Sequence, residues 1–245
     1  MSKRYKGKTC AYCSTPHASE TADHVVAHEF FLVEKRGDLP KVPACKTCNV
    51  EKSKLEHYLT AVLPFGGQHN DAGENLARMV EPRLAKNKKL AATLAQSRRL
   101  VLYSRNGSPW TVRMTLPVDG ERASELFRLI TKGLAHWHWK LDMPDSDCIV
   151  LASFLRDAGE TMFKRLLAMN VRDRVTGNFS DGTFVYEGAR AVDDERLTVW
   201  RMSLYGVVVG GSRTLAEQAI VVYAVTAPKR LPAASALAHM LTRPR

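Results

Sequence analysis

Four cysteines stand in two pairs, Cys10-Ala-Tyr-Cys13 and Cys45-Lys-Thr-Cys48. A tight CxxC turn aims two thiolates at one point, and two such turns complete the tetrahedral four-sulfur shell that zinc prefers. A redox CxxC would not explain why there are two. A closed four-cysteine site leaves no open position for water or substrate, so it is structural. Any chemistry must come from side chains held beside it. The candidates are Asp23-His24, between the knuckles, and Asn49, directly behind the second. A neutral histidine is a suitable base near pH 7. A carboxylate and an amide oxygen are two of the hard donors that Mg2+ or Mn2+ takes. Together they offer what phosphodiester hydrolysis needs: a base for the attacking water and a cation for the departing oxygen.

The order of these parts is CxxC, a DH step before a hydrophobic run, CxxC with Asn at once behind it, and then the lysine-rich "VEKSK". It resembles the HNH endonuclease family over about residues 8–57. The resemblance implies a zinc-stapled ββα-metal core that cuts DNA, in a bacterial or phage setting. It makes His24 the general base and gives Asp23 and Asn49 a catalytic divalent cation, Mg2+ or Mn2+. Lys46, Lys52 and Lys54, with Lys35 and Arg36, are then expected to contact phosphates, since cations near the site neutralise the backbone. The middle Asn that many members carry ahead of the second knuckle is missing, because that region reads GDLPKVPAC. Its role, orienting the loop that carries the base, is unassigned. His28 and His57 read as exposed or core-edge histidines. A zinc nucleobase deaminase is set aside: its signature fails at both parts, because His28 and Glu29 are adjacent and an extra residue separates Pro43 from Cys45.

Stepping outward, residues 1–60 form the expected nuclease module. Residues 61–98 read as a linker, "LPFGGQHNDAGEN", followed by basic helices, with Pro82 splitting the helical pattern. Residues 99–230 read as an α+β domain of unassigned role, and 231–245 as a basic tail with a short helix around 234–241. Within the domain, "RLVLYS" and "WTVRMTLPV" read as strands flanking an Asn106-Gly107 hairpin signal. "ERASELFRLITKGLAHWHWKL" reads as an amphipathic helix, with Leu126, Leu129, Ile130, Leu134 and Trp137 repeating at helical spacing and so assigned to the core. "DCIVLASFL" reads as a buried strand in which Cys148 is a small apolar residue, and "DAGETMFKRLLAMN" as a helix. The last third reads as antiparallel strands. The fold class is α+β: a small zinc-bound module joined to a domain with antiparallel strands.

Composition bounds the partners. Lys and Arg number 36 against 25 Asp and Glu, a net charge of +11. A surplus of this size points to a polyanionic partner, here nucleic acid. Apolar runs such as "AIVVYAV" are too short to span a bilayer. The basic start "MSKRYKGKT" is followed by no apolar run of the kind a signal peptide needs. A reducing, cytoplasmic compartment is therefore expected, where clustered cysteines hold metal. The α+β domain is a candidate surface for a protein partner or a second copy. Two other readings stand beside DNA cleavage. One is a non-catalytic zinc ribbon that binds nucleic acid or protein, for which Asp23, His24 and Asn49 would be dispensable. The other is RNA as the substrate.

Overall fold

The computed structural model describes residues 3–67, 69–103, 110–116, 118–154, 156–168, 171–206, 220–232 and 234. The chain begins with a short antiparallel pair, β1 (Thr21–His24) and β2 (Lys41–Ala44), in which Thr21 faces Ala44 and His24 faces Lys41. No tight turn joins them. The connection is an apolar plug whose Val25, Val26, Phe30, Phe31 and Leu32 are buried. Helix α1 (Lys46–Val62) follows at once, with Cys45 as its N-cap.

The stretch that reads as a linker is ordered instead. Asn70–Asn75 forms α2, Leu76–Val80 a π-helical turn, and Glu81–Lys86 forms α3. The expected break at Pro82 is not seen, because this proline sits at the start of α3. Its ring crowds the preceding turn and its missing N–H removes one helical bond, and the wider π turn there absorbs both. The chain breaks at Asn87 instead, whose side chain accepts from the Leu90 N–H to cap α4 (Lys88–Ser97).

Strands β3 (Arg99–Tyr103) and β4 (Thr111–Thr115) pair antiparallel, as their alternation predicts. The Asn106-Gly107 signal and most of the 231–245 tail lie outside the described residues. Helix α5 (Gly120–Trp139) and helix α6 (Arg156–Ala168) cover opposite faces of a five-stranded antiparallel sheet. Its strands are β5 (Cys148–Ser153), β6 (Val171–Phe179), β7 (Phe184–Ala191), β8 (Thr198–Leu204) and β9 (Ile220–Pro228), in the order β5-β9-β8-β7-β6. Alternation sorts the two faces. Trp200, Met202, Val222 and Ala224 join the core that holds α5, while Val199, Tyr223 and Val225 join that of α6. Strand β6 gave no clear sequence signal. It is an edge strand, and its Arg172, Asp173 and Arg174 are the charges by which exposed edges resist pairing with other chains.

Helix α5 ties the halves together. Its Leu126, Phe127, Ile130 and Leu134 share one core with Tyr12, Val25 and Phe30 on one side and with Tyr186 and Trp200 on the other. The approach is close at Gly133: a Cβ there would lie 2.9 Å from a Val25 methyl. Lys132, 1% exposed, reaches from α5 to the Tyr12 carbonyl and to Asp145, at 2.8 Å each. Cys148 is buried as expected, 2% exposed. Trp137 is not: the last turn of α5 sends His138 and Trp139 toward Trp200 and leaves Trp137 36% exposed. Among the described residues, no helix is long and apolar enough to cross a membrane.

Candidate active site

The sulfurs of Cys10, Cys13, Cys45 and Cys48 all lie within 4.8 Å of one another. Tetrahedral zinc with bonds of about 2.3 Å needs sulfurs about 3.8 Å apart, and those of Cys13 and Cys45 are 3.9 Å apart. The backbone N–H of Cys45 donates to Cys10 Sγ at 3.3 Å, and that of Cys48 to Cys45 Sγ at 3.4 Å. Cys45 and Cys48 also sit at the N-terminal end of α1. Burial pushes the Cys10 and Cys48 thiols up. At Cys13 burial acts the same way, but hydrogen bonds to Thr15 and the neighbouring thiols outweigh it and bring that group down to about 7. Four thiols this close cannot all ionise without a cation among them. The donor set and spacing fit a structural metal such as zinc.

The cluster sits at the start of α1 and so fixes how that helix meets the β1–β2 pair. Residues 49, 53, 56, 57 and 60 fall on one face of α1 by helical spacing. That face and the end of β1 line a cleft of about 610 Å3 that contains Asp23, His24 and Asn49 together. Asn49 spends its amide N–H on Thr21 Oγ1 at 3.4 Å, leaving its oxygen for a ligand. His24 is half-buried. Burial, then the nearby Lys41 and His28, hold its imidazole below the ordinary value of 6.5, with Asp23 opposing. At neutral pH it is therefore uncharged and able to accept a proton.

Lys52 corrects an expectation. It is 0% exposed, so it is no phosphate contact. Its ammonium reaches Asp23 Oδ2 at 2.9 Å, the His24 carbonyl at 2.7 Å, and the Glu56 carboxylate. A buried ammonium survives only with such partners. Tyr12 donates to the same Asp23 oxygen at 2.5 Å. The described bonds of Asp23 therefore all fall on Oδ2. Burial raises the Glu56 carboxyl to about 7, with Lys52 opposing and Asp23 assisting. Lys46 and Lys54 are exposed, and Lys54 lines a separate depression beside Cys13 and Cys48. Lys35 is committed to Asp71 at 2.8 Å, and Arg36 to the Phe31 carbonyl at 3.1 Å. The chain matches no family model, no curated protein and no solved structure.

The cations that do line the cleft are Arg83, Lys86 and Lys88, from the segment that reads as linker and basic helices. Arg83 donates through Nη2 to the Glu29 carbonyl at 3.3 Å, while its Nη1 is buried without a partner among the described residues. His28 and His57 also line the cleft, and the His28 ring lies 5.2 Å from that of His24. Both were passed over because a lone histidine carries no pattern in sequence.

The backbone behind His24 is held by side chains from outside residues 1–60. Asn75, on α2 and fully buried, donates to the carbonyls of Glu29 and Phe30 at 3.1 and 3.3 Å. Tyr205, at the end of β8, donates to the Phe30 carbonyl as well, at 2.6 Å. The segment behind His24 is thus clamped from two distant parts of the chain. Asn75→Ala is expected to cost about 1–3 kcal/mol, since buried acceptors lose a donor. Tyr205 and Arg83 remain on the same carbonyls, which favours the lower half of that range. An unchanged urea midpoint would contradict it.

Proposed function

We propose that this chain is a metal-dependent nuclease of the HNH type, acting on phosphodiester bonds in DNA. The observation that carries the reading is the convergence of Asp23, His24 and Asn49 on one cleft, with two short strands and a helix stapled by four cysteines behind them. His24, neutral at pH 7, accepts the proton of an attacking water. Asp23 Oδ1 and the Asn49 amide oxygen are two hard donors, a number that suits Mg2+ or Mn2+, which keep waters and lean on substrate phosphate. When bound, such a cation offsets charge on the phosphate and the leaving oxygen. Arg83, Lys86 and Lys88, which line the cleft, offset the charge of the substrate phosphates. Lys52 fixes Asp23 and the His24 backbone in place.

The test is cleavage of plasmid DNA with Mg2+ or Mn2+, with single-stranded DNA and RNA run beside it. His24→Ala is expected to cut about 10²–10⁴-fold more slowly, the usual share of a general base. Its bound zinc and melting temperature should match the wild type. The wild-type rate should rise with pH through a midpoint below 6.5, because burial holds His24 below that value. A non-catalytic zinc ribbon predicts no cleavage, and binding indifferent to His24; equal cutting by both proteins would remove His24 from the mechanism.

A further inference from the structure

A second cleft adjoins the first. It encloses about 510 Å3 and is lined by Arg4, Lys8, Lys41, Lys140, Trp137 and Asp142, among others. Four cations face this one carboxylate, and Asp142 lies 3.3 Å from His136 Nδ1. None of the four cations forms an ion pair among the described residues, whereas Lys35, Lys52, Arg78, Arg128, Lys132 and Arg190 elsewhere all do. Lys140 is set in place by backbone geometry: it closes α5 in the left-handed region, φ 58°, and its ammonium donates to the Trp137 carbonyl at 2.9 Å. Trp137 presents an aromatic surface at the same rim, 36% exposed. Unpaired cations beside an exposed indole are what a nucleic-acid strand requires, phosphates on the charges and a base on the ring.

The relation between the clefts comes from strand register. His24 lines the first cleft, Lys41 lines the second, and the two are cross-strand partners on β1 and β2. Side chains of such a pair project from the same face, about 4.5–5.5 Å apart at Cβ. The partition is therefore one residue pair wide, and a strand with its scissile phosphate at His24 meets Lys41 next.

We propose that the second cleft is a nucleic-acid subsite that holds the strand flanking the cut. Its phosphates lie on Lys8, Lys41 and Lys140, and one base stacks on Trp137. The proposal rests on the nuclease reading for what happens in the first cleft, and its test separates the two. Binding of fluorescein-labelled single-stranded and duplex oligonucleotides is followed by anisotropy, on the full-length His24→Ala chain without added divalent cation. Adding Lys8→Glu and Lys140→Glu should raise Kd at least about tenfold, and should flatten the log Kd against log salt slope by about 2. Trp137→Ala should weaken binding about fivefold or more at unchanged salt slope. In the cleaving background, the double charge reversal should raise KM for long substrates and leave kcat near its original value. If circular dichroism shows that the reversal disturbs folding, Lys8→Gln with Lys140→Gln replaces it, with a smaller shift of the same sign. Unchanged Kd and slope would overturn the subsite, as would loss of binding to phosphatidylserine vesicles with oligonucleotide binding intact. A chain that never cuts, yet loses oligonucleotide binding on charge reversal, would overturn the nuclease reading and leave the subsite standing.

Discussion

Cys45→Ser is expected to release the metal and lower the melting temperature by roughly 8–16 °C. Cys45 contributes twice: it is one of the four clustered sulfurs, and it caps α1 by accepting from the Cys48 N–H. Structural zinc in isolated fingers is worth about 10–16 kcal/mol, because it is the folding energy of a chain with little core. Here Tyr12, Val25 and Phe30 also pack against α5, so part of the module stays held without metal. Assigning the cluster about 4 kcal/mol, with about 2–4 °C lost per kcal/mol in a chain of this size, gives the stated range. Cleavage should disappear with it, because Asn49 begins its helical bonding at the Cys45 carbonyl, 3.0 Å away. Metal content is read by a chromogenic chelator after denaturation, one zinc per chain for the wild type. A Cys45→Ser protein with as much zinc as the wild type and an unchanged melt would show that Cys45 is not a metal ligand.

The second large effect is expected at Lys52. Lys52→Met keeps the volume and removes the charge, leaving Asp23 and Glu56 without their shared cation. Removing one member of a buried ionic group costs about 3–5 kcal/mol, because the remaining charge is stranded in a poor solvent. The cost should depend on pH, with a definite sign. Glu56 has a folded value of about 7 against an ordinary 4.5, so the folded chain binds more protons than the unfolded one between those values. Stability from this group therefore falls as pH rises from about 4.5 to about 7. Without Lys52 the carboxyl moves further up, and the deficit of the variant should be larger at pH 8 than at pH 5. Adding Glu56→Gln should return part of the loss at pH 8. Denaturant melts at the two pH values decide it, and a variant with wild-type stability at both would mean the ammonium holds nothing. Activity should fall in every case, since the ammonium also binds the His24 carbonyl.

The cysteine cluster was legible because it is written in local spacing. A CxxC turn fixes two sulfurs whatever surrounds it, and its repetition leaves four donors that a fold can bring together cheaply. The helices α5 and α6 and most of the sheet were legible for a similar reason, since period 3.6 and period 2 follow from which face is buried. Edge strand β6 was not, because a strand bounded by solvent on one side carries charges in place of a clear pattern. The π turn before Pro82 was also hidden: proline announces a lost hydrogen bond, and only the neighbouring turn decides whether the helix breaks or widens.

Within the cleft the division is sharper. By itself the sequence marked the four cysteines, by spacing, as a structural metal site, and the resemblance they carry singled out Asp23, His24 and Asn49 as the candidates for chemistry. It could not say which lysines face phosphate. Charge is a property of the residue, but burial is a property of its partners, and for Lys52 one partner is a helical turn away while the other lies on β1. Only the tertiary structure decided that Lys52 is an internal strut and that Arg83, Lys86 and Lys88 line the cleft. It also placed Asn75 and Tyr205 on the backbone behind His24, and left Trp137 at the surface beside cations that form no ion pair among the described residues. Each of these depends on contacts between segments far apart in the chain, for which no local pattern exists.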